Sequence, residues 1–298
     1  MTFRERYSRC RDRGKRAIQK GEFERAEVCF RESLEAAEAL GSTALTDLAL
    51  CNISAALLEQ NRTTEPEIGR LRLIYMRSCD PKTIRLSAYH LARSLELQGD
   101  FSKAYFYAKI ALEKSEQLRK ADYQASSHNQ LGNIHTCQSY FDQAAACYAR
   151  ALDLAPADNP VFRALVLDNL GYVQIILGRI GEGLRGCGEA LRILTAEAAR
   201  PGFLIYPHTD LCLGYLEAGD LDLAVRHGEE ALRIAQAQRR PDRVKNILLL
   251  LGETHAKRHD VPAAQTYYGE LATYFPDVKF ASDFLMAFEL RKVVNFRL

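Results

Sequence analysis

The chain of 298 residues has no tryptophan, and its apolar stretches fall short of the roughly 18 to 20 residues that a membrane helix requires. Residues 1–26 lack the apolar core of a secretory signal. A net charge of +2 shows no excess that would mark a dedicated polyanion binder. These absences predict a cytoplasmic protein with no membrane partner, and they argue against nucleic acid as the partner.

The spacings that bind metals are missing as well. The eight cysteines are scattered singly, without a CxxC pair or zinc-finger spacing, and in a cytoplasmic chain such cysteines are expected to be reduced and buried. His255 and His259 lie four residues apart, as in helical zinc sites, but HAKRH lacks the glutamate of HExxH and no third ligand follows. We therefore predict no metal site, no cofactor, and a packing role for His255.

What the chain does contain is an internal repeat of 39 to 41 residues. Turn-forming residues recur seven positions after each anchor of the repeat. Small residues recur twelve and nineteen positions after it, which predicts close helix packing at those places. Each unit then consists of two helices joined by a short turn. The seven anchors are Gly14, Ile53, Ala92, Gly132, Gly171, Cys212 and Gly252.

One unit, 130–156, reads QLGNIHTCQSYFDQAAACYARALDLAP and resembles the tetratricopeptide repeat pattern L-G-x-x-x…G-x-(F/L/Y)-x-x-A…A-L. The resemblance covers residues 7–276. It implies an all-α fold, a right-handed α-solenoid of about seven helical hairpins with a C-terminal cap, in a single domain, 1–298. The units exceed the usual length of roughly 34 residues. In this they resemble the arrays of bacterial peptide-sensing and transcription regulators and of kinesin light chains.

One glycine motif has a packing explanation within this repeat. Gly181, Gly183 and Gly186 spell the GxGxxG of a dinucleotide-binding turn. However, Gly183 falls at a small-residue position of the repeat, so we expect a helix there and no phosphate-binding loop. Neither GxSxG nor GxxxxGK[ST] nor an aspartate-rich metal loop occurs. The sequence therefore predicts that the protein is not an enzyme.

The divergent second repeat, 42–80, breaks the pattern. Glu65 and Pro66 stand where small residues and a continuing helix are expected. Since proline fits the first turn of a helix, the second helix of this unit should begin late, near Glu65, after a long loop. This repeat is therefore the place where a bend or a specialised edge is expected.

The segment after the last repeat is predicted to form a capping helix, 280–297, over the exposed core of the final hairpin. An alternative is that this helix docks a partner or a second copy of the chain, which would give a homodimer. The prediction rests on four apolar residues that fall on one helical face: Phe280, Phe284, Leu285 and Phe288.

The first 20 residues carry eight Arg or Lys against two acids. One interpretation is a solvated N-terminal helix, and the alternative is a helix that docks an acidic partner or nucleic acid. No interleaved aromatic residues support RNA stacking.

The predicted function is that of a scaffold or adaptor in which the first helices line a concave groove that binds a peptide, helix or protein partner. The alternative is a regulatory protein that senses a peptide or small ligand and acts on a separate effector. Asn129 and Asn133, one turn apart, can hydrogen-bond an extended peptide backbone. The residues expected to face the groove are Arg11, Lys15, Tyr89, Arg93, Glu96, Asn129, Asn133, Asp168, Tyr172, Tyr206, Thr209, Glu253 and Lys257.

Overall fold

A computed structural model of the chain describes residues 2–276, 285–287 and 289–297. These residues form helices and no β-strand, and none of the described helices has the length and apolar character needed to cross a membrane. Fourteen α-helices follow one another as seven hairpins, with a 3-10 turn, Leu290–Lys292, beyond them. The α-helices are α1 (Phe3–Lys20), α2 (Phe23–Ala39), α3 (Thr43–Glu59), α4 (Glu65–Arg77), α5 (Pro81–Leu97), α6 (Phe101–Gln117), α7 (Ala121–Cys137), α8 (Phe141–Leu154), α9 (Pro160–Ile176), α10 (Ile180–Ala196), α11 (Pro201–Ala218), α12 (Leu221–Ala237), α13 (Pro241–Lys257) and α14 (Val261–Ala272).

Proline and aspartate mark where many of these helices begin. The first helices α5, α9, α11 and α13 each begin at a proline, whose missing N–H costs nothing in the first turn. The second helices α6, α12 and α14 follow aspartates whose side chains accept a backbone hydrogen bond, worth about 1 kcal/mol each. These aspartates are Asp100, Asp220 and Asp260.

The turns inside the hairpins contain residues with positive φ, which end a helix in a left-handed conformation. Glycine adopts this conformation without strain, as at Gly219, with φ 85°. The predicted turn positions are confirmed in six hairpins, and in the second hairpin Asn61 has the positive φ instead of the expected Gln60. The six confirmed residues are Gly21, Gly99, Ser139, Gly178, Gly219 and His259.

At the anchors Gly14, Gly171 and Gly252, a glycine on the first helix faces a larger residue on the second helix of the same hairpin. A Cβ atom added to Gly252 would lie 2.3 Å from the Tyr268 ring. In the sixth hairpin the sizes are exchanged, because a Cβ added to Gly228 of the second helix would lie 3.0 Å from Cys212 Sγ. The helices of these pairs therefore approach closely where the repeat predicts it.

The second hairpin departs from the repeat as expected. Helix α4 begins at Glu65, with Pro66 in its first turn. Glu65 and Arg72 lie twelve and nineteen positions after the anchor Ile53, where the repeat places small contact residues. Glu65 is exposed and Arg72 is half-buried, and Ile68 and Leu71 are buried instead. In the other hairpins the predicted contact positions are buried: Ala26, Ser33, Ala104, Ala111, Ala144, Ala151, Gly183, Ala190, Ala224, Ala231, Ala264 and Leu271.

The GxGxxG glycines lie within helix α10, as expected. A Cβ added to Gly183 would lie 2.6 Å from the backbone oxygen of Gly171 on α9, and one added to Gly186 would lie 3.3 Å from the backbone oxygen of Leu167. These glycines permit α9 and α10 to pack backbone against backbone, and they form no loop that could surround a phosphate.

The contacts of the chain divide into two compact units, Met1–Ile134 and His135–Leu298. The first unit contains α1 to α6 and most of α7. The second contains the end of α7, α8 to α14 and the described residues that follow. A large apolar cluster in the second unit extends from Ala144 on α8 to Phe296. The single domain, 1–298, stays a prediction.

The described residues beyond α14 differ from the predicted capping helix. Phe280, Phe284 and Phe288 lie outside the described residues, and Leu285 begins a short helical turn. The segment 289–297 contains the 3-10 turn and is otherwise not helical. Several of its polar groups bond to side chains of the second unit, among them the backbone N–H of Arg291 and the carbonyl oxygen of Phe296.

Candidate functional site

The first helices α9, α11 and α13 contact the segment 289–297 through side chains that project on their shared side, called the first-helix face below. We call residues 289–297 the docked segment. Phe296 is 3% exposed and joins the apolar core, whereas Val293 is 79% exposed. The docked segment therefore has one buried side and one solvent side, as a bound peptide has.

Arg297 of the docked segment lies between α9 and α11. Its guanidinium pairs with Asp210, and Nη2 lies 3.6 Å from Asp168 Oδ2. Its Cζ atom lies 4.6 Å from the ring centre of Tyr172 and 5.4 Å from that of Tyr206. A planar guanidinium can pair with carboxylates along its edge while its faces contact aromatic rings. The shape of the site therefore suits arginine better than lysine.

The two carboxyl groups around Arg297 are buried, and this changes their pKa values. Burial raises the pKa of Asp210 to about 6, although the Arg297 guanidinium lowers it in part. Burial, together with the nearby Asp210, raises the pKa of Asp168 well above its ordinary range. Burial opposes the charge of Arg297, but Asp210 and Asp168 together raise its pKa. Two buried acids side by side need a cation to remain ionised near neutral pH, and Arg297 supplies it.

Arg291 is held by a second pair of acids, on α11 and α13. Its Nη1 lies 2.7 Å from Glu253 Oε2, and its Nε lies 2.7 Å from Glu217 Oε1. The backbone N–H of Arg291 also donates to Glu253 Oε1 at 2.9 Å. Glu253 therefore binds both the side chain and the backbone of the docked segment, which fixes its register.

Polar side chains hold the backbone of the docked segment at its far end. The carbonyl oxygen of Phe296 accepts hydrogen bonds from Asn246 Nδ2 at 3.1 Å and from Arg243 Nη1 at 3.4 Å. Cys137 Sγ lies 3.8 Å from the carbonyl oxygen of Arg297. Hydrogen bonds of this kind recognise the backbone of a bound peptide and place few limits on its side chains.

Asn295 of the docked segment bonds to the end of α7 and the turn after it. Its Nδ2 donates to the carbonyl oxygen of Thr136 at 2.7 Å and to Ser139 Oγ at 3.3 Å. The hydroxyl of Tyr172 donates to Asn295 Oδ1 at 3.4 Å. These bonds extend the site from α13 to the end of α7.

Four of the residues predicted from the sequence to face a groove contact the docked segment: Asp168, Tyr172, Tyr206 and Glu253. Two other predicted residues in the second unit bond within and between the first helices. Thr209 Oγ1 donates to the carbonyl oxygen of Ile205 at 2.7 Å, and Lys257 Nζ donates to that of Leu216 at 3.0 Å.

The remaining predicted residues belong to the first unit. Arg93 Nη2 lies 3.4 Å from Glu59 Oε1, and Arg11 pairs with the neighbouring Asp12 at 2.9 Å. Lys15 is exposed. The other four, which are half-buried, are Tyr89, Glu96, Asn129 and Asn133.

The basic N-terminal helix α1 pairs with its neighbour α2. Arg6 Nη2 lies 3.0 Å from Glu35 Oε2, and Arg13 Nη1 lies 3.6 Å from Glu32 Oε2. These side chains are largely exposed, so each pair contributes little to stability. They neutralise part of the local positive charge on one side of α1.

Sequence reasoning missed Asp210, Glu217, Arg243 and Asn246 on the face, and Arg291 and Arg297 on the docked segment. Asp210 carried a signal, because it is the only charged residue between Arg200 and Glu217 in an otherwise apolar helix. An isolated acid in an apolar helix is costly to bury unless it has a partner. Nothing in the local pattern identified that partner as Arg297.

Three potential metal ligands meet at the same place, but their chemistry favours a guanidinium. Asp168, Cys187 and Asp210 offer ligand atoms within 4.8 Å of one another. Burial raises the pKa of the Cys187 thiol well above its ordinary value, which disfavours the thiolate that a metal needs. The two carboxylates already pair with Arg297.

His255 has the packing role predicted for it. Its Nδ1 lies 3.2 Å from Asp260 Oδ2, and its ring stacks on Tyr267 with 5.4 Å between the ring centres. His259 is exposed in the turn, where its φ is 60°. His255 therefore holds the turn of the last hairpin against its second helix.

Residues 127–161 match the family model of the tetratricopeptide repeat. This is the part of the chain in which the repeat pattern is most complete. No curated protein matches the sequence significantly. The match identifies one unit, and the likeness of the remaining units rests on their structure.

Several solved structures of tetratricopeptide-type fold are similar to most of the chain. A Rap protein complexed with Competence and Sporulation Factor has a TM-score of 0.71 and 15% identity, over 93% of this chain and 77% of that one. Aspartyl phosphate phosphatase F from Bacillus subtilis has a TM-score of 0.68 and 12% identity, over 90% and 70%. A STAND protein with a tetratricopeptide repeat sensor, from Pyrococcus horikoshii, has a TM-score of 0.65 and 16% identity, over 96% of this chain and 47% of that one. The described residues therefore share the fold of these structures, an all-α arrangement of helical hairpins, and residues 127–161 match the tetratricopeptide repeat itself.

Proposed function

We propose that the chain is a non-catalytic protein-interaction scaffold whose first-helix face binds an extended peptide or protein segment. The observation that carries this proposal is the docked segment, which is held through two arginines, one apolar side chain and its backbone. A face that binds a segment of its own chain presents the same acids, rings and amide to a segment of a partner.

The similar structures support the same use. One is a Rap protein in complex with Competence and Sporulation Factor, and another has a tetratricopeptide repeat as its sensor. Under this proposal the groove residues predicted from the sequence keep their binding role in both units, and four of them contact the docked segment around Arg291 and Arg297.

The proposal includes no reaction. A tetratricopeptide-repeat fold generally serves as an interaction platform, and the likeness to a phosphatase at 12% identity concerns the fold alone. A cytoplasmic location and the absence of nucleic acid partners belong to the same proposal. The homodimer expected as an alternative would arise if two copies exchanged their docked segments.

A peptide library tests the proposal directly. The Arg291→Ala/Arg297→Ala variant, which loses both anchors of the docked segment, should select peptides above background. Adding Tyr172→Ala and Tyr206→Ala should abolish that binding, because both rings line the face. Surface plasmon resonance on the selected peptides would measure the loss. Binding that survives the ring changes would place the site elsewhere and contradict the proposal.

The sensing alternative has one observation in its favour. A ligand that binds the first-helix face must displace the docked segment, so binding would change the surface available to an effector. Small-angle scattering with and without a selected peptide distinguishes the two roles. A ligand-dependent change in the radius of gyration favours the sensor, and an unchanged radius favours the scaffold.

A further inference from the structure

We propose that the first-helix face recognises extended segments through their arginine side chains, and that residues 289–297 are an internal ligand which such a segment displaces. This inference rests on the proposed function and adds the chemical class of the ligand. The partner segment would present two arginines six positions apart, with an aromatic residue directly before the second, as Arg291, Phe296 and Arg297 do.

The contacts of Arg297 select a guanidinium over an ammonium. Its edge faces Asp210 and Asp168 while its Cζ lies within 4.6 and 5.4 Å of the centres of two tyrosine rings. A lysine ammonium could pair with the acids, but it has no flat face to present to both rings. Arginine is therefore the side chain that uses all of these groups together.

A second observation shows that the acidic pair has binding capacity beyond its present contacts. Asp168 is 1% exposed, and its Oδ1 atom has no hydrogen-bond partner among the described residues. The present guanidinium lies 3.6 Å from the other oxygen of that carboxylate. A segment whose arginine also donated to Asp168 Oδ1 would gain a hydrogen bond that the docked segment does not make.

The second anchor sets the spacing of the two arginines. Glu253 and Glu217 bind Arg291, whose side chain is 5% exposed, on α13 and α11, while Arg297 is bound on α9 and α11. Between them Val293 points to solvent. Two acidic sites that are separated by the exposed Lys292 and Val293 recognise the distance between two arginines and tolerate variation between them.

Fluorescence anisotropy with a labelled synthetic peptide of residues 285–298, LMAFELRKVVNFRL, tests this inference. The full-length Arg291→Ala/Arg297→Ala variant should bind the peptide about tenfold more tightly than the unaltered protein does, because its own segment no longer competes. A peptide with both arginines replaced by alanine should bind at least about tenfold more weakly. A peptide with Lys292→Ala should bind unchanged, because the Lys292 side chain is exposed and pairs with Glu289 of the same segment.

The two proposals fail in different ways. Equal binding of the arginine and alanine peptides would overturn the arginine inference but leave a peptide-binding face. Failure of every peptide to bind, with the helical signal of the variant intact, would contradict both proposals. If the double variant loses its helical signal, the Arg297→Lys variant decides. Lysine keeps the positive charge but lacks the planar, forked guanidinium group of arginine, so the docked segment should be held more weakly. This variant should therefore bind the labelled peptide more tightly than the unaltered protein does. Equal affinity would overturn the inference.

Discussion

Asp168 and Asp210 place two acids in a buried part of the second unit, where an unpaired charge costs several kcal/mol. Their pKa values are raised by burial, and the Arg297 guanidinium opposes that rise for both groups. Without a cation the two acids would take up protons or draw in water. Arg297 of the docked segment therefore supplies the positive charge that balances the two acids of the first-helix face.

His90 in the first unit gives a prediction about pH. Burial, together with the nearby guanidinium groups of Arg93 and Arg85, lowers its pKa to about 3. Because the unfolded chain has a histidine pKa of about 6.5, it binds the proton first as the pH falls. The free energy of unfolding should therefore decrease by about 2 kcal/mol between pH 7 and pH 5 on account of His90. Urea unfolding at both pH values measures this difference.

The matched control is His90→Gln, which keeps a polar side chain but has no proton to bind in this range. Its unfolding free energy should lose about 2 kcal/mol less between the two pH values than that of the unaltered protein. An identical pH dependence in the two proteins would show that His90 is not the buried neutral group described here.

The hairpin is the element that the repeat specifies. Its turn needs a residue that tolerates positive φ, and its two helices need small residues where they cross. At Gly183 the neighbouring atom is a backbone oxygen, so a larger residue could not be accommodated by moving a side chain.

Two glycines on α10 test this account. Gly183→Ala should destabilise the protein by about 1–3 kcal/mol, because its Cβ would lie 2.6 Å from the backbone oxygen of Gly171. Gly188→Ala, on the same helix with nothing within 4 Å, should be neutral or stabilise by up to about 1 kcal/mol. Thermal unfolding measures both. Equal shifts in the two variants would contradict the close packing of α9 and α10.

The sequence predicted the hairpins because their rules are local and repeat. Turn residues and small contact residues lie within 19 positions of each anchor, so the period reveals them. The docked segment follows no such rule. Arg291 bonds to Glu253 and Glu217, 38 and 74 positions earlier, and Arg297 bonds to Asp210, 87 positions earlier. The apolar residues of the C-terminal region predicted a helix, and its long-range ion pairs could not be read from that pattern.

At the scale of the whole molecule, the second unit binds residues 289–297 of its own chain on the first-helix face. A partner can bind the first-helix face only while the docked segment is released. The apparent affinity for the partner is therefore the intrinsic affinity multiplied by the fraction of molecules in which the face is vacant. Loss of the docked segment should raise that affinity without any new contact. Regulation of binding would follow from whatever stabilises or releases residues 289–297.

Amide hydrogen exchange of residues 289–297, followed by mass spectrometry on the full-length protein, tests the central claim most directly. The account predicts that these amides exchange at least about tenfold more slowly in the unaltered protein than in the Arg291→Ala/Arg297→Ala variant. The Lys292→Ala control should retain the protection, since its side chain is exposed. Exchange at the rate of an unstructured peptide in the unaltered protein would contradict the claim that the segment is docked on the first-helix face.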